Sequence, residues 1–159
     1  MTQKLTIALG GDERALDYKD ALRTYLAKDP RVTRVIDVGA DRADPAGYPH
    51  VAVDAAQLVA SGEADRALVF CGTGLGVAIS ANTVPGIRAV TAHDPVSIDG
   101  AIKINNAQVL TMGSLIIGLG LVHTLVDQWL DLRYDPDSPW APLVDAMEEY
   151  DKKFSPPAS

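Results

Sequence analysis

One short stretch of this chain gathers groups able to do covalent chemistry: Cys71-Gly72-Thr73-Gly74-Leu75-Gly76. It follows directly on the apolar run Ala67-Leu68-Val69-Phe70. The pattern predicts a buried strand ending on a cysteine, a glycine-rich turn, and a helix opening at about Val77. That layout sets a thiol beside free backbone N–H groups. A thiol ionises at about pH 8.5, lower at a helix N-terminus, and the thiolate moves protons. Backbone N–H groups hold a developing oxyanion, and glycines let the main chain approach a ligand closely. Cys71 is the only cysteine, which excludes an internal disulfide and a multi-cysteine metal site. Alone, a cysteine ending a buried strand is usually a small core residue. Three glycines within five residues exceed what a tight turn needs and favour an anion site.

The elements that must position this stretch read clearly. Apolar runs at Leu5–Leu9, Val32–Val38, Ala67–Phe70, Ile87–Thr91 and Gln108–Met112 predict five strands. Helices are expected over Ala15–Ala27, His50–Ser61, Val77–Asn82, Ser97–Lys103 and Leu119–Leu130, with a loop at Asp41–Pro49. A prolyl segment then leads into a short helix at Leu143–Phe154, and Ser155–Ser159 reads as a frayed end. The strands are continuous apolar runs that alternate with helices, which indicates an α/β fold with a parallel sheet covered on both faces. Ligands in such sheets bind beyond the carboxyl ends of the strands. Asp12, the loop near Tyr48, Cys71–Gly76 and His93-Asp94 all follow strand ends and should converge on one rim.

The 159 residues suit a single domain, 1–159, with a C-terminal helical tail from about 135. A net charge of -7 argues against nucleic acid or an anionic membrane as the main partner, while leaving room for a small anion in a local pocket. Met1–Leu5 carries no apolar run of signal-peptide length, and the apolar stretch Leu115–Val122 is broken by glycines and too short to span a bilayer. The expected location is the cytoplasm.

The chain resembles the ribose-5-phosphate isomerase B family, which also includes the galactose-6-phosphate and allose-6-phosphate isomerases. The resemblance rests on Cys71-Gly72-Thr73-Gly74-Leu75-Gly76, Ala81-Asn82, Gly86-Ile87-Arg88-Ala89 and His93-Asp94. Tyr48-Pro49-His50, Asn105 with Ala107, and Val109-Leu110 with Gly113 fit the same register. It implies a Rossmann-like three-layer α/β/α sandwich, dimers or tetramers with shared active sites, and aldose–ketose isomerisation through a cis-enediolate without metal or organic cofactor. By resemblance Cys71 is the base, Thr73 assists at the substrate oxygens, and the N–H groups of Gly72, Gly74, Leu75 and Gly76 form the anion hole. Asp12 and Asn105 would bind sugar hydroxyls. Tyr48, His50, Asn82 and His93 are further substrate-binding candidates through the same register.

Three departures bear on the substrate. The family's aspartate–histidine pair after the first strand is Asp12-Glu13 here. The histidine that opens a furanose ring aligns with Ile104, which cannot transfer a proton. A family phosphate arginine falls on Leu115, and two more fall among Ser138–Leu143, where there is no arginine. Arg14 is a candidate replacement, with Glu13 as its neighbour at the site. A tetrose or tetrulose 4-phosphate cannot close a furanose, because O4 carries the phosphate. A substrate of the erythrulose 4-phosphate type is therefore favoured over ribose 5-phosphate and ribulose 5-phosphate. A partner subunit of a hetero-oligomeric isomerase is a further alternative.

Blander readings stand for other residues. Asp12 could cap the following helix. His93-Asp94 lacks a second histidine at ligand spacing, so no metal is expected. His123 reads as a satisfied core or interface histidine, Trp129 and Trp140 as packing or interface residues, Arg88 as an ion-pair partner in the fourth strand. Asp17 and Lys19 read as a solvated helix face.

Overall fold

The computed structural model describes residues 4–155. Five strands, β1 (Leu5–Gly11), β2 (Val32–Val38), β3 (Arg66–Cys71), β4 (Ala89–Thr91) and β5 (Val109–Gly113), pair in parallel in the order β2-β1-β3-β5-β4. The intervening helices are α1 (Leu16–Leu26), α2 (Tyr48–Ala60), α3 (Leu75–Ala81) and α4 (Pro95–Lys103). After β5 come α5 (Leu119–Asp131) and α6 (Ala141–Phe154). The α/β/α sandwich expected from the sequence is the one observed.

Strand alternation sorts side chains by size onto the two faces. Ile7, Leu9, Leu68, Phe70, Leu110 and Met112 pack with α1, α4 and α5, including Leu22, Ile102 and Trp129. The opposite face carries smaller residues, Ala8, Ala67, Val69 and Cys71, against the alanines of α2 and Val77 of α3. Cys71 therefore lies on the small-residue face, beneath the start of α3.

Several element starts differ from the sequence reading. α2 opens at Tyr48, because Pro49 sits in its first turn, where proline needs no N–H partner. α3 opens at Leu75, two residues early, because left-handed Gly74 (φ 81°) completes the turn in one residue. β4 is only Ala89–Thr91, so Arg88 precedes it. Arg88 still makes the expected ion pair, at 3.3 Å from Glu148 of α6.

Two local expectations are corrected. Lys19 is not on a solvated face: it is 3% exposed, and its Nζ donates to Asp37 at 2.9 Å and to the Ala40 carbonyl at 2.6 Å. His123 is not satisfied among the described residues: it stacks on Tyr25 at 4.8 Å while its buried Nε2 meets no hydrogen-bond partner there. Trp129 packs in the core and Trp140 is exposed. Residues 156–159 of the expected frayed end lie outside the described residues. No helix among the described residues is long and apolar enough to cross a membrane.

Candidate active site

The strand order reverses direction around β1 and β3. Their carboxyl ends open a crevice of the kind in which open α/β sheets bind ligands. A cleft of about 440 Å³ lies there, lined by Asp12, Glu13, Arg14, Gly47, Tyr48, Cys71, Gly72, Thr73, Gly76 and Leu115. Three loops are tied together around it. Ser114 N–H donates to the Cys71 carbonyl at 2.9 Å, Leu115 N–H to the Gly72 carbonyl at 2.9 Å, and Ser114 Oγ to the Arg14 carbonyl at 3.2 Å.

Cys71 is 5% exposed, and its Sγ accepts the Gly74 N–H at 3.1 Å. The Thr73 hydroxyl accepts the Leu75 N–H at 3.3 Å, so its own proton remains available to a ligand oxygen. The N–H groups of Gly72 and Gly76 are bonded to nothing among the described residues. Two glycines of this turn lie close beneath neighbouring side chains. A Cβ on Gly76 would stand 2.6 Å from the Tyr48 ring, and one on Gly72 3.3 Å from Leu115. Tyr48 and Leu115 thus form apolar walls resting on the glycine turn.

Asp12 is 6% exposed and accepts the Arg14 N–H at 3.0 Å. That bond makes a local turn and not a helix cap, since no side chain caps α1. Burial raises the Asp12 carboxyl above its ordinary range, against the opposing pull of the Arg14 N–H and guanidinium. Arg14 is the one cation lining the cleft, and no ion pair engages its guanidinium among the described residues.

The structure brings Asp12, Glu13, Arg14, Tyr48, Cys71, Gly72, Thr73 and Gly76 to one cleft. Six expected residues do not line it. The Gly74 and Leu75 N–H groups are turned to Cys71 Sγ and Thr73 Oγ1, so the expected four-donor anion hole is reduced to Gly72 and Gly76. The Asn82 side chain is clamped by both its groups to the Ala89 backbone, at 2.8 Å each. His93 Nε2 accepts the Gly113 N–H at 2.8 Å, and burial lowers its ionisation, so it serves as a neutral brace for the end of β5. His50 is exposed on the first turn of α2, and Asn105 is exposed beyond α4. Leu115, which stands where the resemblance puts a phosphate arginine, lines the cleft two residues beyond Gly113. Gly47 is a cleft residue that the sequence reading did not single out, hidden in a loop rich in aspartate, glycine and proline. Among the described residues no group of three or more His, Cys, Asp or Glu side chains is arranged to hold a metal ion.

A sequence model described as Ribose/Galactose Isomerase matches residues 7–146. The chain belongs to this family. It is an isomerase of the aldose–ketose type. It is 53% identical to D-erythrulose-4-phosphate isomerase 2 of Mycolicibacterium smegmatis, over 92% of this chain and 97% of that one. It is 40% identical to the ribose-5-P isomerase B of Listeria innocua, over 94% and 99%. The solved structure of Clostridium thermocellum ribose-5-phosphate isomerase B superposes on this isomerase with a TM-score of 0.87, at 35% identity, covering 94% of this chain and 99% of that one.

Proposed function

We propose that the protein interconverts a tetrulose 4-phosphate, of the D-erythrulose 4-phosphate type, with its tetrose 4-phosphate, using no cofactor. The observation that carries this reading is the joining of a thiol, a free hydroxyl and one unpaired arginine in the cleft at the β1–β3 reversal. The Cys71 thiolate removes a proton from C1 of the ketose, and the electron pair moves onto the C2 oxygen as the cis-enediolate forms. The charge is met by the Gly72 and Gly76 N–H groups and the Thr73 hydroxyl. A proton passes from O1 to O2, and the Cys71 thiol returns its proton to C2, leaving an aldehyde at C1. Arg14 binds the phosphate, and Asp12 a sugar hydroxyl.

The four-carbon assignment is supported by Ile104, at the end of α4, which has no group to open a ring. The 53% identity to a D-erythrulose-4-phosphate isomerase supports it further. A pentose 5-phosphate is the second reading, supported by the ribose-5-P isomerase B relative. The working unit in this proposal is a cytoplasmic homodimer whose second copy brings Asn105 to the cleft. Leu75, Ile79, Leu115 and Ile116 lie exposed on the α3 and post-β5 segments, as a self-complementary surface would.

The test is turnover of four-, five- and six-carbon sugar phosphates by the purified protein, with Cys71→Ser and Arg14→Ala beside it. Expected are a kcat/KM for the tetrulose phosphate at least about tenfold above that for ribose 5-phosphate and a loss of about 10³-fold in kcat for Cys71→Ser. For Arg14→Ala, KM should rise by about tenfold or more. Preference for ribose 5-phosphate would overturn the four-carbon assignment, and full activity of Cys71→Ser would remove the thiol from the mechanism.

A further inference from the structure

Two threonines stand behind the glycine turn, and no step of the reaction above uses them. Thr111 is 0% exposed, in the middle of the otherwise apolar Val109-Leu110-Thr111-Met112 of β5. Thr91 ends β4 directly beside it in the sheet register. Their hydroxyl oxygens are 2.9 Å apart, and both reach one acceptor, the Gly74 carbonyl, at 2.9 Å from Thr91 and 2.8 Å from Thr111. Thr111 also approaches the Val90 carbonyl at 3.2 Å. A buried hydroxyl is costly unless bonded, whereas valine fills the same space at no such cost, so packing alone does not call for either threonine.

What the pair grips is the residue that aims a donor at the sulfur. Gly74 is left-handed, and its N–H lies 3.1 Å from Cys71 Sγ. Its surroundings leave no room for a side chain: a Cβ would meet the Met112 backbone at 2.8 Å and the Gly113 nitrogen at 3.1 Å. A glycine has the widest choice of backbone torsions, so its orientation has to be imposed from outside. The two hydroxyls impose it through the carbonyl, at shorter range than the Ala78 N–H of α3, which reaches the same oxygen at 3.3 Å.

We propose that Thr91 and Thr111 are positioning residues. By holding the Gly74 carbonyl they keep the Gly74 N–H on the Cys71 sulfur, and so keep one fixed donor on the atom that exchanges the proton. The inference rests on the reading of Cys71 as the base. Either hydroxyl alone can retain a bond to Gly74, so losing one is mild and losing both is worse than the sum.

Alkylation by iodoacetamide reads Cys71 alone, because the chain has no other cysteine, and it needs no turnover. The proteins compared are wild type, Thr91→Val, Thr111→Val, the double valine variant and the Thr91→Ser/Thr111→Ser variant. At pH 7 the double valine variant should alkylate about tenfold more slowly than wild type, and the acid limb of its kcat/KM profile should move about one unit toward alkaline pH. Each single variant should slow alkylation by about two- to threefold. The double serine variant should restore both readouts, and KM on the alkaline plateau should not change. Wild-type alkylation and an unmoved acid limb in a folded double valine variant, or no rescue by serine, would overturn the proposal. Should the double valine variant fail to fold, an unchanged alkylation rate in Thr111→Val would overturn it equally. Full activity of Cys71→Ser would defeat the base assignment while leaving the alkylation comparison standing, so the two failures are distinguishable.

Discussion

Asp12 shows most directly how function is set against stability in single residues. Burial raises its carboxyl above the ordinary value of 3.8. The folded protein therefore holds this proton more tightly than the unfolded chain. The associated stability is complete below the unfolded value and is lost as pH rises through the folded one. At neutral pH the ionised carboxylate is held in the cleft at a net cost. Asp12→Asn retains an oxygen for the Arg14 N–H and removes the charge. Its melting temperature should exceed that of wild type at pH 7, with the advantage vanishing near pH 3.5, while kcat/KM falls by about 10²-fold. A melting difference equal at both pH values would mean that the charge is not what burial penalises. His93 has the opposite sign. Burial lowers its ionisation, so its bond from Gly113 N–H is intact above the ordinary imidazole value and is lost as pH falls through the depressed one.

Most elements were legible because a parallel sheet buried on both faces writes its strands as unbroken apolar runs, such as Ala67–Phe70. What escaped depends on contacts distant in sequence. The burial of Lys19 is set by Asp37 of β2 and by Ala40 just beyond it, so helical periodicity alone put it in solvent. Asn82 and His93 carry ligand-like side chains, yet their partners are backbone atoms of Ala89 and Gly113, which no motif announces. Thr111 did leave a signal, a hydroxyl inside an apolar run, but its acceptor lies 37 positions away. The dependence of α3 on β5 is equally non-local. A Cβ on Gly113 would lie 2.5 Å from the Thr73 carbonyl carbon, and neither backbone can yield locally. Gly113→Ala should therefore shift the Thr73 turn, lowering kcat/KM by about 10²-fold and stability by about 1–3 kcal/mol. Kinetics and a denaturant titration together check both parts. An active variant would show that the turn tolerates displacement.

At the scale of the molecule, the crevice follows from strand order. Asp12 and Cys71 meet because β1 and β3 are neighbours, although about 60 residues separate their carboxyl ends. The order was not written in any local pattern, whereas the convergence of strand ends on one rim was. The proposed dimer makes a prediction at this scale. Cys71→Ala and Asn105→Ala each damage a different contribution to a shared site. Mixed in equal amounts and allowed to exchange subunits, they should regain about a quarter of the wild-type activity, since half the dimers then hold one intact site. No gain on mixing would place the whole site within one chain.

The position of β5 has a consequence for how the chain is made. β5 occupies the place between β3 and β4, yet both of those leave the ribosome first. Until residue 113 has emerged, β3 has an open edge along Ala67–Cys71, and the sheet of the growing chain must wait for its last strand before that edge is paired. The unfinished sheet is thus most open to mispairing with other chains along the very strand that leads into the cleft.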